Sequence, residues 1–246
     1  MPKSYRTAIT THKDEKVYVR GKNLIDLSSK SSFAAAIYLI LKGELPDEKA
    51  EKMFSSMLVI SIDHGVNPSS VVAARNIYSA GSPVQAAVAG GVLAFGEYHG
   101  GAIEAAMENF YGYADKPAGK LIYDLKMQDR RVAGFGHRLY KGDDPRTVKL
   151  IEIAGETGFE GKYVKFAKSV ALEFKKGGKP LPLNIDGIIA ALLCEMGFDS
   201  KAGKGIFIIA RVPGLVAHVV EEATREKPVR RLSEDEVEYD GPEPEE

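Results

Sequence analysis

The chain has 246 residues, 44% of them hydrophobic, and sets 33 lysines and arginines against 34 aspartates and glutamates for a formal net charge of −1. That supplies enough apolar material for a buried core in one domain or two small ones. With no basic excess, nucleic acid is not expected as the main partner. The one cysteine, Cys194, excludes an internal disulfide, stands in an apolar run and reads as a small buried thiol; nothing suggests a metal site. Met1–Arg6 has no apolar signal core. No apolar run approaches the roughly 20 residues of a membrane helix, so a soluble, cytoplasmic protein without membrane contact is expected.

Arg6–Arg20 alternates Thr and Ile with polar residues and then reads Val17-Tyr18-Val19, which predicts a β-hairpin with a solvated His12 at its tip. Beyond Gly21 the pattern is helical. Ser31-Ser32-Phe33 can cap a helix that carries Phe33, Ile37, Ile40 and Leu41 at helical spacing, and Gly43 and Pro46 end it. Lys49–Ile62 is a second helix. Asp63-His64-Gly65 breaks the chain, and Pro68-Ser69-Ser70 starts a helix over Val71–Ala80. From Val84 to Phe110 small residues dominate, which predicts a central buried helix, interrupted from Gly96 to Gly101 around His99. Thr147–Ile153 and Tyr163–Lys175 follow as helices, then a basic turn over Lys175–Gly178. Ile188–Met196 is apolar nearly all round, as is Gly205–Val220 except for Arg211 and His218. The Glu- and Asp-rich tail from Ser233 is expected to be disordered. There is no internal repeat, and the chain is all-α apart from the small N-terminal β-hairpin.

Three places carry chemistry in their residue types. In Val132–Arg146, Gly134 and Gly136 free the backbone for a tight turn, His137 follows at once, and Asp144-Pro145 turns into a new helix. Arg138, Lys141 and Arg146 surround the histidine with positive charge, which suits an anionic substrate; a plain turn is the alternative. Asp186 stands between the apolar runs Leu181–Ile185 and Ile188–Leu193, so it is paired, protonated or functional. Taken alone, an aspartate before an apolar helix is most often its N-cap. Arg211 follows Ile206–Ala210 in a helix expected to be buried and needs an anion there, from the protein or from a ligand. His218 on the same helix reads as structural or as support for the site.

The string Gly134–Arg146 closely resembles the histidine loop of the citrate synthase family. Glu97-Tyr98-His99-Gly100-Gly101-Ala102 and Asn184-Ile185-Asp186-Gly187 match that family in the same order, and the resemblance runs from about Tyr18 to about Arg231. It implies a citrate synthase-like two-domain helical fold. The large domain would be 1–101 with 200–235 and the small one 102–199, followed by a disordered acidic tail over 236–246. The site would lie in the cleft between the domains, with His99 at the hinge.

The resemblance also implies the reaction. Members of the family join or split the bond between oxaloacetate and the methyl carbon of acetyl-CoA, through an enol or enolate of the thioester. Asp186 would move the carbon-bound proton, His99 would stabilise the enol, and His137 would bind the oxaloacetate carbonyl or the alcohol of the cleavage substrate. His64, Arg146 and Arg211 would bind carboxylates. Arg230 would be donated from a neighbouring subunit, with Arg231 as its rival, which implies a homodimer or dimer of dimers. Gly134, Phe135 and Gly136 would receive the adenine of coenzyme A, with Arg138 and Lys141, and also Arg130 and Arg131, near its phosphates. Coenzyme A enters as a thioester substrate; no permanently bound cofactor and no metal are implied.

Departures from the synthase pattern point to one branch. Only residues 47–62 lie between Pro46 and Asp63, where synthases carry a much longer segment. Gly187 follows Asp186 where synthases usually have a bulkier residue. Ile62-Asp63-His64-Gly65 resembles the citryl-CoA lyase module of ATP-citrate lyase. The implied activity is therefore citryl-CoA lyase, giving acetyl-CoA and oxaloacetate, with a separate citryl-CoA synthetase as a partner enzyme. A short citrate synthase is the alternative. A non-catalytic relative binding CoA or citrate is a third reading, against which His99, His137 and Asp186 are all retained.

Overall fold

The computed structural model describes residues 5–136 and 144–242. Strands β1 (Thr10–Lys13), β2 (Lys16–Val19) and β3 (Lys22–Asn23) form an antiparallel sheet in that order, with Thr10 opposite Val19 and Lys13 opposite Lys16. The β1–β2 turn is Asp14-Glu15, both left-handed at φ 49° and 59°, as a two-residue hairpin turn of matching twist requires. His12 is therefore not the tip; it lies in β1, exposed, opposite Val17. The third strand extends the expected hairpin through a second left-handed pair, Arg20-Gly21.

Eleven α-helices follow among the described residues: α1 (Leu24–Lys30), α2 (Phe33–Lys42), α3 (Glu48–Ile60), α4 (Ser69–Ser79), α5 (Val84–Leu93), α6 (Ala102–Tyr113), α7 (Ala118–Met127), α8 (Pro145–Thr157), α9 (Lys162–Lys176), α10 (Ile185–Glu195) and α11 (Ser200–Arg225). The helix ends follow local chemistry. The Ser32 side chain accepts from the Ala35 N–H, Gly43 closes α2 at φ 96°, and Asp47 caps α3 by accepting from the Ala50 N–H.

The chain divides into two compact units, residues 1–62 with 96–211 and residues 63–95 with 212–246. These boundaries differ from the two domains expected from the resemblance, and one of them falls inside α11.

The first unit is built around α10, whose residues Gly187 to Cys194 are all buried, and which packs against α6, α8 and α9. Burial pushes the Cys194 thiol up to about 12, so it packs as a small apolar group rather than as a thiolate. Tyr38, Phe54 and Phe198 form one aromatic cluster, with ring centroids 5.2–5.7 Å apart. Glu195 closes α10 and caps the next layer: its Oε1 accepts from the backbone N–H of Tyr163 at 2.5 Å and of Val164 at 3.1 Å.

The second unit pairs α4 with α5 and adds the latter part of α11. The small residues act here by close approach. A Cβ on Gly91 would stand 2.9 Å from the Ser70 carbonyl oxygen and 3.1 Å from the Ala74 Cβ. The interruption expected from Gly96 to Gly101 does separate α5 from α6, and the expected burial holds for α6 but not for α5. Of α5 only Ala87 and Gly91 are buried, and Leu93 is 85% exposed. Glu222 on α11 is buried between two arginines. Arg75 Nε donates to it at 2.6 Å, and Arg230 donates through Nε at 3.0 Å and Nη2 at 2.7 Å. The tail also departs from expectation at its start, where Ser233–Glu236 forms a 3-10 turn closed by a capping box.

Helix α11 is long and apolar enough to cross a membrane by length and composition, against the expectation that no apolar run approaches that length. In the structure 44% of its most apolar stretch is buried.

Candidate active site

Asp186 stands in the first turn of α10, half-buried. It is not the N-cap. That place belongs to Asn184, whose Oδ1 accepts from the Gly187 N–H at 3.0 Å. Asp186 therefore follows the cap and does not supply it.

Asn184 also binds the glycine loop, a role that sequence reasoning did not assign. Its Nδ2 donates to the Gly136 carbonyl at 2.8 Å, and its backbone N–H donates to the Gly134 carbonyl at 3.0 Å. The Gly136 N–H donates to the Pro182 carbonyl at 2.8 Å, and Phe135 pairs with Leu183 in an isolated antiparallel bridge. The loop therefore lies alongside residues 182–184, one residue short of His137. Gly134 and Gly136 take φ of 88° and 84°, which suits glycine.

Gly187 has a packing reason to be glycine. A Cβ there would stand 2.2 Å from the Gly134 carbonyl oxygen. Alanine at an unhindered helical position should stabilise by up to about 1 kcal/mol. Gly187→Ala is instead expected to lower the melting temperature, because the glycine loop must move. A melting temperature at or above that of the parent would show that the loop yields freely.

The Phe135 ring is half-buried, 6.4 Å from Phe110 and 5.6 Å from Phe174 between centroids. Together with Lys126, Arg130, Arg131 and Lys179 it lines a cavity of about 960 Å³ in the first unit. Arg130 and Arg131 were expected near CoA phosphates. Lys126 and Lys179 join them only through folding. His137, Arg138 and Lys141 lie outside the described residues.

Arg146 opens α8 beside its N-cap, Asp144. The buried Asp144 carboxylate receives Arg146 Nε at 3.1 Å on one oxygen and Nη2 at 2.8 Å on the other, a two-point clamp that fixes the guanidinium plane. Arg211 is 8% exposed, as the apolar run predicted, with its guanidinium 5.0 Å over the Phe207 ring. His99 is half-buried in a tight loop. Its N–H donates to the Gly96 carbonyl, Gly100 takes φ 81°, and a Cβ on Gly101 would stand 2.8 Å from the Gly96 oxygen.

Two expected residues belong to the second unit. His64 is exposed on the turn between Asp63 and Gly65. Arg230 is held by Glu222 of the same chain, with Glu226 at 3.5 Å. The Glu222 carboxylate raises the Arg230 guanidinium, and Arg230, ahead of Arg75, holds Glu222 below the usual carboxylate range against the opposing effect of burial. Arg231 is exposed.

A family model described as citrate synthase, C-terminal domain, matches residues 46–232. The chain belongs to the citrate synthase family. Among solved structures, this citrate synthase-family chain is similar to citryl-CoA lyase from Hydrogenobacter thermophilus, with a TM-score of 0.94 and 48% identity over 99% of this chain and 97% of that one. It is 30% identical over 196 residues to 2-methylcitrate synthase of Mycobacterium tuberculosis, covering 78% of this chain and 49% of that protein. It is 32% identical over 212 residues to citrate synthase of Haloferax volcanii, covering 82% of this chain and 55% of that protein. The chain spans about half the length of the curated relatives it matches.

Proposed function

We propose that the chain is a citryl-CoA lyase, cleaving citryl-CoA to acetyl-CoA and oxaloacetate. The observation that carries this reading is the end-to-end correspondence with the H. thermophilus lyase, 99% of one chain against 97% of the other. In this reading the citryl hydroxyl gives its proton to His137 as the carbonyl of oxaloacetate forms. The carbon–carbon bond breaks toward the thioester, and the resulting enolate is held at its oxygen by a hydrogen bond from His99. Asp186 then delivers a proton to carbon, giving the acetyl group. Arg146, Arg211 and His64 bind the carboxylates. The clamp on Arg146 suits this role, because a guanidinium fixed in advance loses little freedom on binding. The adenine of coenzyme A lies against the Gly134–Gly136 loop, with Lys126, Arg130, Arg131 and Lys179 available to its phosphates.

The reading carries further expectations: a homodimer or dimer of dimers, a cytoplasmic location, a separate citryl-CoA synthetase supplying the substrate, and no permanently bound cofactor. The large and small domains, 1–101 with 200–235 and 102–199, belong to it as the bodies that close about His99. A short citrate synthase is the second reading, favoured by the synthases among the curated relatives. Supplying citryl-CoA and following oxaloacetate and acetyl-CoA, then running the condensation with the same protein, tests both. Condensation without measurable cleavage would select the synthase. No turnover in either direction would leave a binding protein.

The arginine offered to a neighbouring site is better sought in Arg231 than in Arg230, which Glu222 already engages. Arg231→Ala protein, inactive alone, is expected to regain activity when mixed with inactive Asp186→Asn protein. In the mixed dimer one site collects both defects and the other neither. If subunits exchange and no activity returns, Arg231 acts within its own chain or Arg230 is the ligand.

A further inference from the structure

The proposed chemistry leaves His218 without a task, yet its surroundings in the second unit are specific. Its side chain is 12% exposed on α11, between the buried Leu215 and Val219. Its Nε2 lies 3.1 Å from Asp63 Oδ1. The other Asp63 oxygen, Oδ2, accepts from the Gly65 N–H at 2.9 Å. An ionised carboxylate only accepts, so Nε2 carries the hydrogen in that bond. On the other side of the ring, Nδ1 lies 3.9 Å from Glu221 Oε2. Glu221 in turn binds Arg75 at 3.2 Å and Arg225 at 2.6 Å.

The Asp63 carboxylate is thus gripped twice, once by a helix and once by the turn it begins. Gly65 makes that turn at φ 78°. Burial pushes the Asp63 carboxyl up, but the backbone N–H groups of Gly65 and His64 and the His218 ring together hold it below the ordinary range. The residue inside the turn is His64. An exposed turn that must present a ring to a substrate carboxylate loses freedom on binding, and a tether to a rigid helix reduces that cost.

We infer that His218 is a positioning residue: through Asp63 it anchors the 63–65 turn to α11 and sets His64 for a carboxylate of the substrate. This rests on the reading of His64 as a substrate ligand. His218→Leu keeps bulk and removes the bond; His218→Gln keeps a donor within reach of Asp63. His218→Leu is expected to raise KM for citryl-CoA about tenfold while kcat changes less than about twofold, and His218→Gln to restore most of it. In a His64→Ala background, His218→Leu should add nothing, because the two act as one unit.

If His64→Ala leaves KM unchanged, the assignment of His64 fails. If His64→Ala raises KM but His218→Leu does not, or if the two effects multiply, the positioning role is overturned. Hydrogen exchange over residues 62–67 reads the tether without any assay of activity. It should speed up in His218→Leu and return toward the parent rate in His218→Gln, and unchanged exchange in His218→Leu would likewise overturn the inference.

Discussion

Asp186→Asn protein is expected to fold as the parent does and to lose at least about a hundredfold in turnover of citryl-CoA, the usual scale for a positioned acid–base group. The structure sharpens the expectation about folding. Had Asp186 been the N-cap of α10, truncation to alanine would have cost about 1 kcal/mol of stability, whereas asparagine caps about as well as aspartate. Asn184 fills that place, so the variant should melt within a degree or two of the parent, the shift of a near-neutral substitution. Loss of turnover with unchanged melting assigns the carboxylate to chemistry. Near-normal turnover would remove Asp186 from its role, and a large fall in melting temperature would make it structural.

Glu222→Ala is expected to be the most destabilising single change in the second unit. The Glu222 side chain is 1% exposed and Arg75 beside it 12%. Removing one partner of such a pair leaves the other buried without compensation, at a cost of about 3–5 kcal/mol; urea unfolding would measure it. A loss under about 1 kcal/mol would mean that water or another carboxylate takes over.

The same residue gives a pH dependence of definite sign. Glu222 is held below its ordinary value of 4.5, first by Arg230 and then by Arg75, with burial opposing them. Its contribution is therefore full above that value and is lost as pH falls through the folded-state pKa. Glu222→Gln should flatten this part of the acid unfolding curve while lowering stability at neutral pH. Arg230→Ala disturbs the same cluster, so a loss of activity in that variant does not by itself identify a substrate ligand.

What was legible in the sequence was mostly local. Ser32 and Gly43 end α2 because a hydroxyl and a left-handed residue each settle a helix terminus within a few residues. Arg211 was legible because an apolar run on both sides leaves a cation little choice but burial. Helix α7 went unread although Pro117, Leu121 and Leu125 mark its start and buried face. Small residues over Val84–Leu93 suggest depth in a linear reading, whereas in the fold they mean close approach, and α5 buries only Ala87 and Gly91. The roles of Asn184 and Glu222 were beyond a linear reading. The Gly136 carbonyl is 48 residues from Asn184, and Arg75 is 147 from Glu222. The Arg230 contact depends on how the chain turns after α11. Of the expected site residues, His137, Arg138 and Lys141 lie outside the described residues.

The clasp between Asn184 and the glycine loop bears on how this scaffold can be re-engineered. Segments 133–136 and 182–187 are interlocked through the Asn184 amide, the Gly134 and Gly136 carbonyls and the bare Cα of Gly187. They behave as one cassette, although 45 residues of chain separate them. Grafting the α10 turn of a longer synthase, with a bulkier residue in place of Gly187, without the matching loop would bring a side chain against the Gly134 carbonyl oxygen. Altered thioester specificity should therefore be sought by exchanging both segments together, leaving Asp186 in place on the turn they share.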